Sequence, residues 1–403
     1  MLLMFSLAAG LAAQPAAPPF TLADAIARAR EASPVRDAAV RLAAGAGEAA
    51  RLAGRMLNSQ FDFRIENLWP DGPGLSKDVF AVINQPIELG GKRRIRRDLG
   101  AADAAVATAH VATTDWALTA RVTAAYLDAL RARRRVEILE ASRLDLATAV
   151  EVMARRLEEG LVAEADVLKV RADLARVDLD RARAHLDQEQ RAIDLTYITG
   201  APAPVEPARL AEPLVPPPAF REPAAVTALV ERHPDVQAAR ARVARSRQAF
   251  SLEQARRTPD ALVTGGYKRT AGLDSGVAAV VMTLPLFDRN GVGIAKASGE
   301  LRAAEAEAAA LSRRLAAEVA STSLAARSIA ERAVTVTTEL VRPAEQVRAA
   351  AAVALQEGAV DVLRLLDADR VLREARHLEI DARLDAVAAA IAARMAAGEE
   401  PLP

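Results

Sequence analysis

The chain has 403 residues, 51% of them hydrophobic, and its 53 basic residues balance its 53 acidic residues. A phosphate-binding surface needs a basic excess, so this neutral charge gives no reason to expect nucleic acid as a partner. Cys is absent, which excludes disulfides and thiol chemistry, and the four His residues are far apart in sequence. No pattern of a nucleophile with a base, of a phosphate loop or of metal ligands stands out. We therefore predict no catalytic residue, no cofactor and no resident metal.

The N-terminus predicts export. Residues 2–13 form a short apolar stretch, and small residues follow it. This pattern indicates a secretory signal peptide over residues 1–17, although the usual basic residues at its start are missing. The later sequence has no uninterrupted apolar run of ~20 residues, the length of a membrane-spanning helix. Any membrane crossing must therefore be made by strands.

The mature chain begins with Ala-rich sequence over residues 21–58, which predicts helix. The dipeptide Ser33-Pro34 interrupts it, because Pro is favoured in the first turn of a helix and Ser is favoured as the N-cap before it. We expect one short helix to end at Ser33 and another to begin at Pro34.

Apolar and charged residues alternate over residues 60–69, which predicts a strand with two unlike faces. The apolar face carries Phe61, Phe63, Ile65 and Trp69, and the other face carries Asp62, Arg64 and Glu66. Turn residues fill 70–76, and residues 79–89 form the returning strand. Each strand has about ten residues, enough for a tilted strand to cross a bilayer. We expect the apolar face to contact lipid, with Trp69 near the headgroups.

A long helical hairpin is predicted over residues 92–199. No convincing helix breaker except Gly100 occurs between residues 92 and 158, and a helix of this length would extend roughly 100 Å. Gly160 marks the tip where the chain reverses. The returning helix has a heptad seam that predicts coiled-coil packing; it consists of Leu161, Ala165, Leu168, Ala172, Ala175, Leu179, Ala182 and Leu186.

The second half repeats this plan. The first repeat covers residues 18–200, a Pro-rich extended connector covers 201–223, and the second repeat covers 224–398, with a tail at 399–403. The second repeat has strands predicted at 258–268 and 277–287, a turn at 271–275, and a hairpin at 292–397 with its tip at Gly358. Its long helix contains Pro343, which we expect to kink the helix or interrupt its hydrogen bonding.

Helix lengths indicate how each repeat is arranged. The short helix at 34–58 and the returning helix at 161–199 together nearly equal the long helix, so we expect them to stack end to end along it. Each repeat also supplies two strands, and four strands cannot close a barrel in lipid. Three copies would give twelve strands and a water-filled lumen, whereas two would give a barrel filled by side chains. The charged strand face favours the lumen.

The two junctions between strand and helix are the most distinctive stretches. They read QPIELGGKRRIRR at 85–97 and LPLFDRNGVGIAKA at 284–297, and LLDADR follows the second tip at 365–370. With the repeat, these stretches resemble the TolC family of outer-membrane efflux proteins, and the first junction is most similar to the CzcC-like heavy-metal branch. The resemblance implies a mainly α-helical fold with a membrane β-barrel portion, in which trimerisation completes the barrel.

The same resemblance implies a function. The protein would be a homotrimer in the outer membrane with a periplasmic helical tunnel. It would dock to a periplasmic adaptor and an inner-membrane RND pump, and it would be a passive exit duct rather than an enzyme. The CzcC-like resemblance implies heavy-metal cations as the cargo, with drugs or other small molecules as the alternative, and any selectivity for the cargo would lie in the pump. A periplasmic adaptor and a soluble coiled-coil scaffold are the alternatives.

The resemblance also assigns candidate site residues. The tips would contact the adaptor through Gly160, Leu161, Val162, Gly358, Ala359 and Val360; alternatively they are plain helix turns. Arg364 and Asp367 occupy the positions of the family's tunnel gate, where the family has two carboxylates, and they could simply pair with each other. Asp166 occupies the position of a latch, or is a surface carboxylate. The basic run at 92–97 would meet lipid phosphates, acidic groups of a neighbouring copy or solvent.

Overall fold

The computed structural model describes residues 18–69, 77–213 and 223–402. The predicted signal peptide, the turn at 70–76 and part of the connector lie outside these ranges. The elements of the first repeat are α1 (Leu22–Ala32), α2 (Pro34–Leu52), β1 (Gln60–Glu66), β2 (Asp78–Ile87), α3 (Lys92–Glu158) and α4 (Glu164–Thr199). Those of the second are α5 (Pro223–Val230), α6 (Pro234–Ala255), β3 (Ala261–Thr270), β4 (Leu273–Met282), α7 (Gly291–Thr335), α8 (Arg342–Gln356) and α9 (Val362–Ala396).

The interruption predicted at Ser33-Pro34 is present. The Ser33 side chain accepts a hydrogen bond of 3.3 Å from the backbone N–H of Arg36, which caps α2. At the matching place in the second repeat, His233 takes this role and its Nδ1 accepts from the backbone N–H of Asp235 at 3.2 Å. The two repeats therefore begin their second helices with Pro in the first turn and with different capping side chains, which accept from the third residue after Ser33 and from the second after His233.

The four strands form one antiparallel sheet in the order β1-β2-β3-β4. β2 pairs with β3 from Val79 opposite Arg269 to Ile87 opposite Ala261, so this central pairing joins the two repeats. β1 and β4 are the outer strands of this sheet. Within the described residues, each outer strand has one edge without a partner strand.

Several predicted strand limits were wrong, among them the start of β3, which is at Ala261 rather than at 258. β1 ends at Glu66 rather than at 69, because Asn67 adopts a left-handed conformation with φ of 53°. The second hairpin turns through Ala271 and Gly272, whose φ angles are 53° and 79°, and not through 271–275. Two residues with positive φ make a tight hairpin turn, so β3 and β4 continue up to it. β4 consequently ends at Met282, before Pro285, instead of at 287.

The helices form columns, as predicted, although α2 ends at Leu52 rather than at 58. α2 and α4 both pack along α3, while α6 and α9 both pack against α3 and α7. The stacked ends meet closely: a Cβ atom on Gly200, after α4, would lie 2.4 Å from the Ala32 Cβ at the end of α1. Gly398, after α9, is similarly close to His233, at 3.2 Å from its Cα. The order of columns is α2 with α4, then α3, then α6 with α9, then α7 with α8.

The second long helix is interrupted before Pro343, as expected. A π-helical turn, Val336–Val341, separates α7 from α8. Pro343 has no N–H to donate into the previous turn, so the helix widens there and its regular hydrogen bonding is lost. The corresponding helix of the first repeat, α3, runs for 67 residues without such a break.

The heptad seam predicted on α4 does not pack within the chain. Its leucines are exposed, with 54% of Leu168, 63% of Leu179 and 57% of Leu186 accessible. α4 instead contributes Val167, Val170 and Val177 to the core shared with α3. The seam lies on a different face of the same helix, and this face is unoccupied in the single chain.

The largest core cluster lies around Tyr126, which is fully buried on α3. Its hydroxyl lies 2.8 Å from the carbonyl of Phe20 and 2.6 Å from that of Ala211, and it accepts from the N–H of Ala211. Burial raises the pKa of Tyr126 to about 12, so the phenol stays protonated. Phe20 and Leu210 form a parallel bridge. Tyr126 thereby fastens the segment before α1 and the described part of the connector to the long helix.

None of the described helices has the length and apolarity needed to cross a bilayer.

Candidate functional site

Both hairpin tips have the same backbone geometry. Gly160 and Gly358 each have φ of 74°, a left-handed conformation that glycine adopts without strain. At the first tip, the N–H of Leu161 donates to the carbonyl of Arg156 at 2.8 Å; at the second, the N–H of Ala359 donates to that of Ala354 at 2.9 Å. These are Schellman turns, which satisfy the last carbonyls of each outgoing helix.

The predicted tip residues differ in exposure. Leu161 is 68% exposed and Ala359 is exposed. Val162 and Val360 are half-buried and pack against the core cluster that closes the two hairpins. A hydrogen bond of 2.8 Å from the Arg156 guanidinium to the carbonyl of Gln356 holds the tips side by side. An apolar surface at the free end of the molecule is thus formed mainly by Leu161, Ala359 and their glycines.

The gate candidates do not pair as the sequence suggested. Asp367 accepts a hydrogen bond of 2.6 Å from Arg370, three residues later, and not from Arg364. Arg364 is exposed and has no ion pair among the described residues. Both residues line a groove of about 740 Å³ between α8 and α9, with Pro343, Val347 and other apolar side chains. Asp166 lies on α4, where it pairs with Lys169 at 2.9 Å, and it does not line this groove.

A buried polar network was missed by sequence reasoning. The Asp369 carboxylate accepts from Ser142 on α3 at 2.9 Å and lies 3.4 Å from Arg373. Burial raises the pKa of Asp369, while the hydrogen bond from Ser142 lowers it. Nearby, Arg348 on α8 pairs with Asp145 on α3 at 2.9 Å. The network fastens the second hairpin to the first. Its signal in the sequence is the position of Asp369 midway between Leu366 and Leu372, which places a carboxylate on the apolar face of α9.

The basic run at the first junction is partly used inside the chain. Lys92 is buried, and its Nζ donates to Asp260 at 2.7 Å and contacts the Thr258 carbonyl. Arg96 donates two hydrogen bonds to Glu88, at 2.9 and 2.6 Å, and further bonds to carbonyls at the end of α2. These two residues tie the start of α3 to the ends of the strands and to α2.

The strand face predicted to contact lipid is exposed in the single chain. Exposure is 71% for Phe61, 59% for Phe63 and 39% for Ile65. Trp69 is 86% exposed but lies beyond the end of β1 at Glu66, so its predicted place on the strand was wrong. The register places Phe61 opposite Ile83 and Phe63 opposite Ala81, so the apolar face continues onto β2. On the other face, the Arg64 guanidinium and the Lys268 ammonium each lie 5.1 Å from the centre of the Phe80 ring. The first face is mainly apolar, with the ion pair of Arg269 and Asp274 at its hairpin end, and the second face carries Asp62, Arg64 and Lys268.

Long helical hairpins below a small sheet with unlike faces define the architecture of a duct protein. A model of the family described as outer membrane efflux protein matches residues 70–201 and 225–399. The chain belongs to this family.

Relatives and solved structures agree with this assignment. The chain is 28% identical to the cobalt-zinc-cadmium resistance protein CzcC of Cupriavidus metallidurans over 319 residues, which cover 77% of this chain and 75% of CzcC. It is 37% identical to the nickel and cobalt resistance protein CnrC of the same organism over 269 residues, covering 65% of this chain and 62% of CnrC. The crystal structure of the outer membrane protein VceC of Vibrio cholerae superposes with a TM-score of 0.75 at 20% identity, covering 94% of this chain and 96% of VceC. The predicted fold class and family are confirmed.

Proposed function

We propose that the protein is the outer-membrane exit duct of a tripartite efflux system, assembled from three copies of this chain. The observation that carries the proposal is that surfaces on both sides of the single chain are left uncovered. The sheet ends in unpaired edges at β1 and β4, and the outer helical columns carry exposed apolar stripes.

The two stripes lie on opposite outer columns. On α4 the exposed residues are Leu168, Leu179, Leu186, Ile193 and Tyr197, with exposures between 54% and 84%. On α7 and α8 they are Leu324, Val334, Val347 and Val353, with exposures between 54% and 72%. Exposed apolar rows of this length are typical of surfaces that bind another protein. Head-to-tail contact between α4 of one copy and α7 with α8 of the next would cover both stripes and close a ring.

The sheet supports three copies. Three four-stranded sheets give a twelve-stranded barrel, wide enough for an aqueous lumen, and a closed barrel removes the edges that lipid does not tolerate. In such a barrel the apolar face, with Phe61, Phe63 and Ile65, faces lipid, and the face with Asp62, Arg64 and Lys268 faces water. The helical columns continue the lumen as a periplasmic tunnel.

The partners and cargo follow from the family and the relatives. The exposed tips around Leu161 and Ala359 are the surface for the periplasmic adaptor, which joins the duct to an inner-membrane RND pump. CzcC and CnrC are named for resistance to cobalt, zinc, cadmium and nickel. We therefore assign heavy-metal cations as the cargo, conducted passively, with Arg364, Asp367 and Asp166 near the periplasmic entrance.

Expression of the full chain in a Gram-negative host tests this function. We expect recovery in the outer-membrane fraction, a trimer mass in detergent, and loss of cobalt, zinc or nickel tolerance when the gene is deleted from its own strain. Recovery in a soluble fraction would refute the duct. If the deletion strain keeps its metal tolerance but becomes sensitive to drugs, the proposal of an exit duct stands, and its cargo is drugs rather than metal cations.

A further inference from the structure

Positive charge is concentrated where helices join strands. We define the collar as residues 48–60, 86–100, 253–261 and 283–297, the four segments at these junctions. They contain eleven Lys and Arg residues but six Asp and Glu residues, although the chain as a whole is neutral. The collar thus carries a surplus of five positive charges in each copy, and the rest of the chain carries the balancing negative charge.

Every carboxylate of the collar is already occupied within its own chain. Five of the six pair with cations: Glu48 with Arg51, Glu88 with Arg96, Asp98 with Arg97, Glu253 with Arg256 and Asp260 with Lys92. The sixth, Asp288, accepts from the backbone N–H of Asn290 at 2.8 Å. The collar of a second copy therefore offers one carboxylate without a cation partner, Asp288, which is too few to neutralise the surplus cations.

The cations that remain are exposed. They have no carboxylate within ion-pair distance in the described parts of the chain, and they are Arg55, Arg94, Arg257, Arg289 and Lys296. Arg93 donates only to the Gly54 carbonyl. Arginine predominates among them, and its planar guanidinium suits the bidentate binding of phosphate oxygens.

Exposed apolar side chains lie among these cations at the second junction. Exposure is 67% for Leu284, 70% for Leu286, 99% for Phe287 and 85% for Val292, and Arg289 lies between them in sequence. A cation flanked by an aromatic and aliphatic residues is the composition found where a protein meets the boundary between acyl chains and headgroups. The collar directly follows the ends of the strands that would span the membrane.

We propose that the collar binds anionic phospholipid headgroups of the periplasmic leaflet, with Arg94, Arg257 and Arg289 contacting the phosphates and Phe287 inserted among the acyl chains. This inference rests on the proposed function, because it requires the sheet to lie in the membrane. The attraction between surface cations and anionic lipid adds up over the charges and weakens with salt. Fifteen surplus charges would surround a trimer.

Native mass spectrometry of the delipidated full-length trimer tests the proposal. The probes are phosphatidylglycerol and phosphatidylcholine with the same acyl chains, added at low and at high salt. The collar variant combines Arg94→Gln, Arg257→Gln and Arg289→Gln. The matched control combines Arg121→Gln, Arg155→Gln and Arg232→Gln, three exposed arginines outside the collar.

We expect the wild-type trimer and the control to prefer phosphatidylglycerol, and the collar variant to bind it about tenfold or more weakly. Equal binding of the two lipids by the wild type, or an unchanged preference in the collar variant, would overturn the proposal. If the collar variant does not assemble, the wild-type trimer at low and high salt provides the test. A preference for phosphatidylglycerol that high salt does not reduce would also overturn the proposal. A wild-type chain found as a soluble monomer would instead refute the duct itself.

Discussion

His233 shows how one buried residue joins several elements. It is 3% exposed, its Nδ1 accepts the capping hydrogen bond from Asp235, and its ring meets Trp116 edge-on at 5.6 Å. Burial lowers the pKa of His233 below its ordinary value of 6.5, despite the opposing effects of Asp235 and Glu318. Protonation would remove the acceptor that caps α6. The neutral imidazole is therefore the form that the folded chain requires.

The pH dependence of unfolding tests this role. Because the pKa is lower in the folded than in the unfolded chain, the unfolded chain binds more protons, and stability is full above pH 6.5 and falls as the pH decreases below it. Each such histidine removes up to about 1.4 kcal/mol per pH unit. The pKa of His377 is lowered by burial as well, so it adds to the same slope. We expect His233→Asn, which keeps a capping oxygen, to flatten the slope of unfolding free energy against pH; an unchanged slope would contradict this role.

At the scale of elements, the end-to-end stacking of α4 on α1 depends on the close approach of Gly200 to Ala32. Gly200 and Gly160 both end a long helix with positive φ, at 60° and 74°. They differ in their surroundings, because a Cβ on Gly200 would meet Ala32 at 2.4 Å whereas one on Gly160 meets nothing within 4 Å. Substituting each glycine in turn therefore separates the free-energy cost of positive φ, present at both positions, from the cost of steric overlap, present only at Gly200.

Alanine substitution at the two glycines measures that difference. Gly160→Ala should cost about 1 kcal/mol of unfolding free energy, the penalty for an L-residue with left-handed backbone. Gly200→Ala should cost about 1–3 kcal/mol more, because the added methyl group overlaps Ala32. Adding Ala32→Gly should recover most of the extra loss in denaturant unfolding. Equal costs for the two substitutions, or no recovery, would mean that the columns separate easily at this joint.

The positions of the helices and strands could be predicted from the sequence better than the side of each helix that packs into the core. Period two at 60–66, the Gly reversals and Pro343 each act locally, so their strands, tips and helix break were predictable. The face of α4 that packs was not, because the leucines of the seam and the valines of the core both repeat at helical spacing. The tertiary partner decides between such faces: Val170 is buried against α3, while Leu179 is 63% exposed. The sequence places Asp369 on the apolar face of α9, but its partner Ser142 could not be predicted, because their contact joins two hairpins far apart in sequence.

At the scale of the whole molecule, the exposed leucine row of α4 is explained by the proposed assembly, in which a neighbouring copy covers it. Burying a leucine contributes roughly 1.5–3 kcal/mol, and in a ring of three the seam of α4 is buried three times. After a single substitution the other leucines of the seam would still hold the copies together, so a double substitution is the sharper test. We expect Leu179→Glu with Leu186→Glu to convert the trimer in detergent to monomer, as measured by light scattering, with the helical content preserved.

The matched control uses exposed leucines of the inner columns. Leu144 on α3 is 63% exposed and Leu378 on α9 is 48% exposed, close to the values on α4. Leu144→Glu with Leu378→Glu introduces the same two charges without touching the outer columns, so the trimer should persist. If both pairs abolish the trimer, charge alone is responsible and the stripe on α4 loses its assigned role. If neither pair abolishes the trimer, the copies are held together by pairing of the sheet edges, and contacts between the helical columns do not determine assembly.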